Sequence, residues 1–322
     1  MSPPRVSVVT PAFDAGQTIG ATVASVLGQT YRDLELVVVD DGSTDGTAAI
    51  VEAHGGPVRV VRQENRGVAA ARNRGIEAAA GELIAFCDAD DFLLPQHVER
   101  LVRVWDDHGG IATANSYWLL PGGIRRSKRR YRGGFPNPKG QRRAILEQNF
   151  VSPLSVFPRS LVEEIGAFDV ERRRAEDWDF WLRAIFAGRR VTLQPEPTAL
   201  YRWGTEGLSS AYEQMDAEVE AVLRTAAARD DLTPDERGYV ERRLSGPGPR
   251  ELARRGDRAL RAARYSEAAH AYGEAARLVP SERMLLWKAR VLRPAPRLTG
   301  PLVRARQLRI ERSLGLTEEH VR

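Results

Sequence analysis

The sequence predicts an α/β fold, a single doubly wound and mostly parallel sheet, followed by an all-α region. Short apolar runs alternate with helical stretches through the first 110 residues, which is the order from which parallel sheets are built. Acidic residues follow two of these runs, at Asp40-Asp41 and at Asp88-Ala-Asp-Asp91. From about residue 214 the sequence becomes rich in Ala, Arg and Glu. We therefore expect two domains, residues 1–215 and 216–322.

Four strands and three helices account for the first part of the chain. The predicted strands are 6–10, broken at Pro11, then 34–39, 58–61 and 83–87. The predicted helices are 19–27 with Thr18 as its cap, a short one through 50–53, and 68–80. Ligands gather at the carboxyl ends of the strands in such sheets. Asp41 and Asp90 both lie at such ends.

The order of elements changes after residue 111. We predict strands at 111–120 and 150–157, a Gly/Pro/Arg-rich loop at 121–141 and a helix at 160–165. The segment Ala175-Glu-Asp-Trp-Asp-Phe-Trp-Leu-Arg183 predicts a capped amphipathic helix whose first turn carries acids.

The region beyond residue 214 is predicted to be helical and is interrupted by Gly246-Pro-Gly-Pro249. Within it, six residues have the spacing of one tetratricopeptide repeat. They are Gly256, Tyr265, Ala268, Tyr272, Ala275 and Pro280. A plain helical hairpin is an equal alternative, because at least three repeats normally make a stable solenoid.

Composition excludes several classes of protein. A single cysteine, Cys87, excludes an internal disulfide and a cysteine-rich zinc site, and we interpret it as core filler. No apolar run approaches the roughly 20 residues of a membrane helix, and the N-terminus lacks the apolar core of a signal peptide. We therefore expect a cytoplasmic protein.

Basic residues exceed acidic ones, 48 to 43, and are concentrated at 125–132 and in the C-terminal tail. Such runs are usually solvated surface. The alternatives are contact with an anionic membrane, as a peripheral protein at its inner face, or with an anionic acceptor. Nucleic acid ranks third and is not expected, because no recognition motif accompanies the charge.

The pair Asp88 and Asp90 follows the predicted strand 83–87. Because side chains alternate along a strand, the two carboxylates should point to one side. Carboxylates are ligands for Mg²⁺ or Mn²⁺, and a cation held there could neutralise a leaving diphosphate. The alternative is that Asp88, Asp90 and Asp91 merely end the strand and open a helix near Pro95.

Seven segments, taken in order, resemble the family 2 glycosyltransferases over about the first 210 residues. They are Val6-Ser-Val-Val-Thr-Pro-Ala-Phe13, Ser25-Val-Leu-Gly-Gln-Thr-Tyr31, Leu36-Val-Val-Val-Asp-Asp-Gly-Ser-Thr-Asp-Gly46, Asn65-Arg-Gly-Val-Ala-Ala-Ala-Arg-Asn73, Asp88-Ala-Asp90, Gly166-Ala-Phe-Asp169 and Glu176-Asp-Trp178. The resemblance implies a GT-A-type fold and transfer of a sugar with inversion from a nucleotide-diphosphate donor. It also implies use of Mg²⁺ or Mn²⁺.

The resemblance further implies roles for individual residues. Those expected to bind the donor nucleotide and its sugar are Pro11, Ala12, Phe13, Asp41, Asn65, Arg72, Asp88, Ala89, Asp90 and Glu176. Asp88 and Asp90 would also hold the metal, and Asp177 would be the general base. Alternatively, Asp41 only forms a turn and Arg72 is only a helix-face charge. Trp178 and Trp181 could face a sugar or fill the core, and we interpret Trp181 as core.

One segment departs from the family pattern. Many relatives carry a histidine where Tyr201-Arg-Trp-Gly204 has glycine, so the metal would be held more weakly or with water completing its ligands. Arg202 remains a candidate for binding the diphosphate, since guanidinium groups pair well with phosphate oxygens.

The expected function is therefore sugar transfer in polysaccharide or glycoconjugate biosynthesis. The donor would be a nucleotide-diphosphate sugar, with UDP-sugars first, and the acceptor a saccharide, a lipid-linked molecule or a small molecule. Nucleotidyl transfer is a rival, but residues 11–16 lack the Gly-rich, Arg-containing loop it needs. The other alternative is a catalytically silent fold that binds a partner through its helical tail.

Overall fold

The structure is a computed structural model that describes residues 3–120, 123–131, 134–202, 212–280 and 282–313. The chain divides into two compact units, Met1–Val222 and Leu223–Arg322. This division lies inside a helix, Tyr212–Ala227, and falls later in the chain than the predicted boundary between residues 215 and 216.

The first half of the sheet is parallel, with strand order β3-β2-β1-β4. Its strands are β1 (Val6–Ala12), β2 (Leu34–Asp40), β3 (Val58–Arg62) and β4 (Leu83–Phe86). The helices between them are α1 (Ile19–Leu27), α2 (Thr47–Glu52) and α3 (Val68–Ala78). α1 has the predicted bounds, but Thr18 makes no side-chain cap to it.

The prediction that Pro11 breaks the first strand is wrong, because β1 continues to Ala12 and Pro11 pairs with Val39. Residues 9 and 11 face the same neighbouring strand, since backbone groups alternate along a strand. Val9 accepts a hydrogen bond from Cys87 on the β4 side, and β4 itself ends opposite Val9. The N–H that proline lacks therefore falls beyond the end of β4, where no ladder bond is lost.

The second half of the sheet is mixed. Its elements are β5 (Phe92–Leu93), α4 (His97–His108), β6 (Ile111–Leu120), β7 (Gly123–Arg129), α5 (Gln141–Glu147), β8 (Ser155–Pro158), α6 (Ser160–Ile165), α7 (Glu176–Phe186) and β9 (Val191–Arg202). β8 is antiparallel to both β4 and β6, whereas β9 is parallel to β6 and antiparallel to β5.

The full strand order is β3-β2-β1-β4-β8-β6-β9-β5, with β7 paired to β6. The α/β class is thus confirmed. The prediction of a loop throughout 121–141 is wrong, because β7 lies within it. The strand predicted at 150–157 begins only at Ser155. β5 and β9 were not predicted.

The helical unit confirms the predicted all-α region. The division between the units lies inside α8 (Tyr212–Ala227). After α8 come α9 (Pro234–Leu244), α10 (Pro249–Arg261), α11 (Tyr265–Leu278), α12 (Arg283–Leu292) and α13 (Pro296–Ser313). A Cβ atom at Gly256 would lie 2.7 Å from the ring of Tyr272, so glycine lets α10 and α11 pack closely. This hairpin occupies the predicted repeat positions, and its membership of the tetratricopeptide class stays a prediction.

Neither unit contains a membrane-spanning helix within the residues described. No helix there combines the necessary length with the necessary apolar character.

Candidate active site

The acids after β4 lie in a turn. The Asp91 N–H donates to the Asp88 carbonyl at 3.0 Å. The buried Thr22 hydroxyl of α1 lies 3.0 Å from the Ala89 carbonyl and 2.8 Å from that of Asp91, which fixes the turn to the helix. Because β4 ends at Phe86, the strand alternation that was used to place Asp88 and Asp90 on one side does not apply.

Asp90 and Asp91 have different environments within this turn. Asp90 is exposed as a residue, yet partial desolvation of its carboxylate and the negative charge of Asp88 raise its pKa to about 6. Asp91 is 2% exposed. Its Oδ1 accepts the Arg202 N–H at 2.9 Å, while its Oδ2 has no hydrogen-bond partner among the described residues. Burial raises the pKa of Asp91 as well.

Arg202 lies at the same turn, at the end of β9. Its side-chain Nε donates to the Asp90 carbonyl at 2.9 Å, and the residue is exposed. The guanidinium group is therefore held beside the candidate metal ligands, where it can meet phosphate oxygens. Gly204, which stands where many relatives have a histidine, and Trp203 lie outside the described residues.

Arg72 of α3 joins this turn to the start of α7. One terminal nitrogen donates to Asp88 Oδ1 at 2.9 Å, and the other forms an ion pair with Glu176 Oε1. The residue is only 4% exposed. Its guanidinium carbon lies 5.4 Å from the centre of the Phe86 ring and 5.7 Å from that of Phe168. Arg72 was expected near the nucleotide; in the structure it is buried and links two carboxylates.

Helix α7 begins with the acids expected to act on the sugar. Its preceding residue, Ala175, has φ of 55°, a left-handed conformation that is uncommon for a residue other than glycine. No side chain caps the helix, contrary to the prediction. Glu176 is 7% exposed and Asp177 is half-buried.

Two hydrogen bonds orient the Asp177 carboxylate. The Asn149 side-chain amide donates to Oδ2 at 2.9 Å, and the Trp178 N–H donates to Oδ1 at 2.7 Å. The Trp178 indole in turn donates to the Ile145 carbonyl of α5 at 2.7 Å. Trp178 is thus buried, and Trp181, 1% exposed, fills the core as predicted.

Burial raises the pKa of both α7 acids. The pKa of Glu176 rises to about 7, because the guanidinium of Arg72 offsets only part of the desolvation and Asp177 lies beside it. Burial also raises the pKa of Asp177, with Arg72 and Arg130 opposing the shift. Glu176 therefore exchanges its proton near neutral pH, and the shift of Asp177 is in the same direction.

Arg130 and Asn149 were not predicted. Arg130 follows β7, in the run interpreted as solvated surface. Its guanidinium carbon lies 5.7 Å from the centre of the Tyr201 ring, and its charge acts on Asp177 and Asp91. Nothing in the sequence distinguishes Arg130 from the neighbouring arginines. Its position relative to the site depends on where β7 ends.

The predicted base and ribose residues lie at the ends of β1 and β2. Pro11 and Ala12 are buried, and Phe13 is 51% exposed. The following loop is held by the Asp14 N–H, which donates to Ser43 Oγ at 3.0 Å. Phe13 is therefore an accessible aromatic side chain at the end of β1.

Asp41 organises the loop that follows β3. Its carboxylate, 3% exposed, accepts hydrogen bonds from the Gln63 amide at 2.7 Å and from the N–H groups of Arg66 and Gly67 at 2.9 and 2.8 Å. Both oxygens thus bond to the loop after β3 and not within the turn that Asp41 itself was expected to form, and its role toward the ribose stays a prediction. The loop carries Asn65, which is exposed.

Comparison with known proteins identifies the family of the first part of the chain. The model of glycosyl transferase family 2 matches residues 7–166, a range that includes the ends of β1, β2 and β4 and the Asp88 turn. Residues 7–166 belong to glycosyl transferase family 2.

Relatives in this family align with part of their length. The uncharacterised glycosyltransferase YibD of Escherichia coli is 38% identical over 120 residues, which are 36% of this chain and 35% of that protein. TarS 1–349 of S. aureus, solved with UDP-GlcNAc, is 20% identical with a TM-score of 0.59 and covers 98% of this chain and 93% of that chain. The mannosyltransferase PcManGT of Pyrobaculum calidifontis, solved with GDP-Man and Mn²⁺, is 22% identical with a TM-score of 0.59, covering 95% and 85%. The two structures show the GT-A fold.

The charges of the site fit a divalent cation. Acidic groups outnumber cations: Asp88, Asp90, Asp91, Glu176 and Asp177 lie among Arg72, Arg130 and Arg202. The unpaired Oδ2 of Asp91 and the raised pKa of Asp90 indicate negative charge that the described residues do not neutralise. Among the described residues, no group of three or more His, Cys, Asp or Glu could hold a metal. Asp88 and Asp90 are the ligands expected from the sequence.

Proposed function

We propose that this chain transfers a sugar from a nucleotide-diphosphate donor to an acceptor hydroxyl with inversion, using Asp177 as general base. The observation that carries the proposal is that one side chain, Arg72, contacts both Asp88 and Glu176. A donor bound at the Asp88 turn therefore lies beside the first turn of α7. The similar structures were solved with UDP-GlcNAc and with GDP-Man, which supports a nucleotide sugar as the donor.

The reaction is a single displacement. The acceptor oxygen bonds to the anomeric carbon while the bond from that carbon to the diphosphate breaks. The proton of the acceptor hydroxyl passes to Asp177, whose two oxygens are oriented by Asn149 and by the Trp178 N–H. Because attack comes from the face opposite the leaving group, the anomeric centre is inverted.

Charge on the departing nucleoside diphosphate is balanced by groups at the turn. Arg202 is exposed there and can pair with phosphate oxygens. Asp88 and Asp90 would hold Mg²⁺ or Mn²⁺, which supplies Lewis-acid stabilisation of the diphosphate. The use of these metals by this chain is part of the proposal, supported by the excess of carboxylates and by the Mn²⁺ in the PcManGT complex.

The remaining donor contacts follow from exposure. Phe13 offers its ring to the base, and Asn65 lies at the same edge on the loop that Asp41 holds. We place UDP first among the nucleotides. Glu176, bound to Arg72, would contact the donor sugar or position Asp177.

The test measures donor affinity and transfer separately. Nucleotide sugars are first screened by thermal shift with and without Mn²⁺, which identifies the donor. Asp177→Asn should then lower the transfer rate by about 10² to 10⁴-fold while calorimetry shows donor affinity unchanged. Glu176→Gln is the matched variant in the same helical turn.

The outcomes separate the alternatives. Near wild-type transfer by Asp177→Asn would remove this residue as the base, and collapse of transfer in Glu176→Gln alone would move the role to Glu176. A chain that binds no nucleotide sugar and hydrolyses none would instead be a silent fold.

A further inference from the structure

The contacts of Arg72 carry an inference about how the two halves of the site are held together. Two segments meet at this residue: the turn after β4, with Asp88, and the start of α7, with Glu176. Arg72 is 16 residues from Asp88 in the sequence and 104 residues from Glu176. A single guanidinium group therefore connects segments that are remote in the chain.

We propose that Arg72 is a positioning residue that holds the donor turn and the base helix in register without touching the donor. This inference rests on the proposed function, because it assigns the turn to the donor and Asp177 to the acceptor proton. It departs from the expectation that Arg72 lies against the nucleotide.

Exposure argues against a direct donor contact. Arg72 is 4% exposed, and its two terminal nitrogens each already serve one carboxylate. The guanidinium lies within 6 Å of the ring centres of Phe86 and Phe168. The two rings and the two acids are thus its neighbours, and its Nε, which is buried, has no hydrogen-bond partner among the described residues.

The shape of the side chain explains why arginine is needed. Its terminal nitrogens are held apart in a rigid plane, so that each can donate to a separate carboxylate. A lysine keeps the charge but concentrates it at one flexible point, which can satisfy Asp88 or Glu176 and not both in the same geometry. Arg72→Lys thus separates the charge from the bridge.

The bridge is one of the contacts that hold the start of α7. Ala175, with φ of 55°, precedes the helix, and no side-chain cap fixes its first turn. The ion pair from Arg72 to Glu176 therefore bears on the position of Asp177, the next residue. Misplacing a reacting group by about 1 Å can cost about 100-fold in rate.

The experiment compares turnover with donor affinity in Arg72→Lys. We expect kcat to fall by about 100-fold, while calorimetry with the donor nucleotide and Mn²⁺ gives a Kd within about threefold of wild type. The double variant Arg72→Lys/Asp177→Asn should be no slower than Asp177→Asn alone, because both changes remove the same positioned base.

Arg183→Lys is the matched control. Arg183 lies on α7, is largely buried, and donates to Asp179 Oδ2 at 2.9 Å and to the carbonyls of residues 166 and 167. It should lower Tm and leave kcat unchanged. Arg72→Lys would overturn the proposal if it behaved in the same way, or if it weakened donor binding tenfold with kcat retained.

A second measurement needs neither donor nor activity, nor a variant at Arg72. If Asp88 and Glu176 share one guanidinium, the Tm shifts of Asp88→Asn and Glu176→Gln should deviate from additivity by about 2 °C or more in the double variant. Additive shifts would overturn the bridge. A wild-type chain that binds no nucleotide but shows this coupling would contradict the proposed function and leave the bridge intact.

Discussion

Each of the two units buries a cluster of acids and cations, and the clusters differ in balance. In the helical unit, Lys288 Nζ lies 2.7 Å from Asp257 Oδ1 and 3.2 Å from the Tyr272 hydroxyl, which itself donates to Asp257. One cation there meets one carboxylate. In the sheet unit, the carboxylates around Arg72 outnumber the guanidinium groups, and Asp91 Oδ2 has no partner among the described residues.

The difference indicates what each cluster does. A buried pair in which every charge is matched needs nothing more, although it contributes little net stability beyond fixing the geometry. A cluster with excess carboxylates is held at a cost, because each desolvated negative charge raises the pKa of the others. Such clusters are typical of binding sites.

The largest effect is expected at Asp90. We predict that Asp90→Ala abolishes the Mn²⁺-dependent thermal shift with UDP, because it removes a carboxylate that the unbalanced cluster offers to the cation. At a ligand concentration of 100 Kd the lost shift would be roughly 5 to 11 °C. Differential scanning fluorimetry with and without Mn²⁺ measures it.

Glu77→Ala is the control for Asp90→Ala. Glu77 lies on α3 and pairs on the surface with Arg74 at 3.2 Å, an interaction of small value. It should keep the full shift. An Asp90→Ala protein with the same shift as wild type would remove the metal site from the proposal.

A smaller effect is expected when the balanced cluster is broken. Lys288→Met should lower the free energy of unfolding of the helical unit by about 1.5 to 3 kcal/mol, because a hydrogen bond between charged groups is lost and Asp257 keeps its negative charge. Donor affinity should not change. Urea denaturation and calorimetry measure the two quantities.

Arg283→Met, an exposed position on α12, controls for the charge change at Lys288. Loss of donor affinity in Lys288→Met, at a temperature where the chain is folded, would give the second cluster a functional role. The contrast between the units would then fail.

The next largest effect is expected from a change in the hydrogen bonds that orient Asp177. Asn149→Ala should lower kcat about tenfold, because one hydrogen bond to the Asp177 carboxylate, worth about 1.4 kcal/mol, is lost. Donor affinity should stay near wild type in calorimetry. Unchanged turnover would mean that the Trp178 N–H alone orients the carboxylate.

Much of the fold could be predicted because local patterns decide it. The apolar runs of β2 and β6 and the apolar spacing of α1 and α6 are complete within a few residues. The strand β7 could not be predicted, because the Arg-rich sequence of 123–129 forms a strand by pairing with β6. β1 passes through Pro11 for a similar reason, since the end of β4 decides whether the missing N–H matters.

The site was predictable only in part, for the same physical reason. Asp88 and Asp90 stand in a short motif that is visible in the sequence, and Asp177 was indicated by the resemblance to family 2. Asn149 and Arg130 reach the site through tertiary contacts, and no spacing indicates them. The bridge made by Arg72 depends on the distance between a turn and a helix that are far apart in the chain.

The smallest effect expected is a pH dependence of stability that comes from Glu176. Its pKa is about 7 in the folded chain, above the usual range of a glutamate, because it is buried and its cation is shared with Asp88. The folded chain therefore binds more protons than the unfolded chain between about pH 4.5 and pH 7. Stability from this group is present at low pH and falls as pH rises through that window.

Glu176→Gln removes this slope, so its Tm should gain on the wild type as pH rises from about 4.5 to 7.5. Thermal unfolding of the two proteins in metal-free buffer measures the difference, with Glu77→Gln as an exposed control. Parallel curves would mean that Arg72 keeps Glu176 ionised throughout. Glu176 would then be a matched ion-pair partner, like Asp257 in the helical unit. The excess negative charge of the sheet unit would come from the Asp88 turn alone.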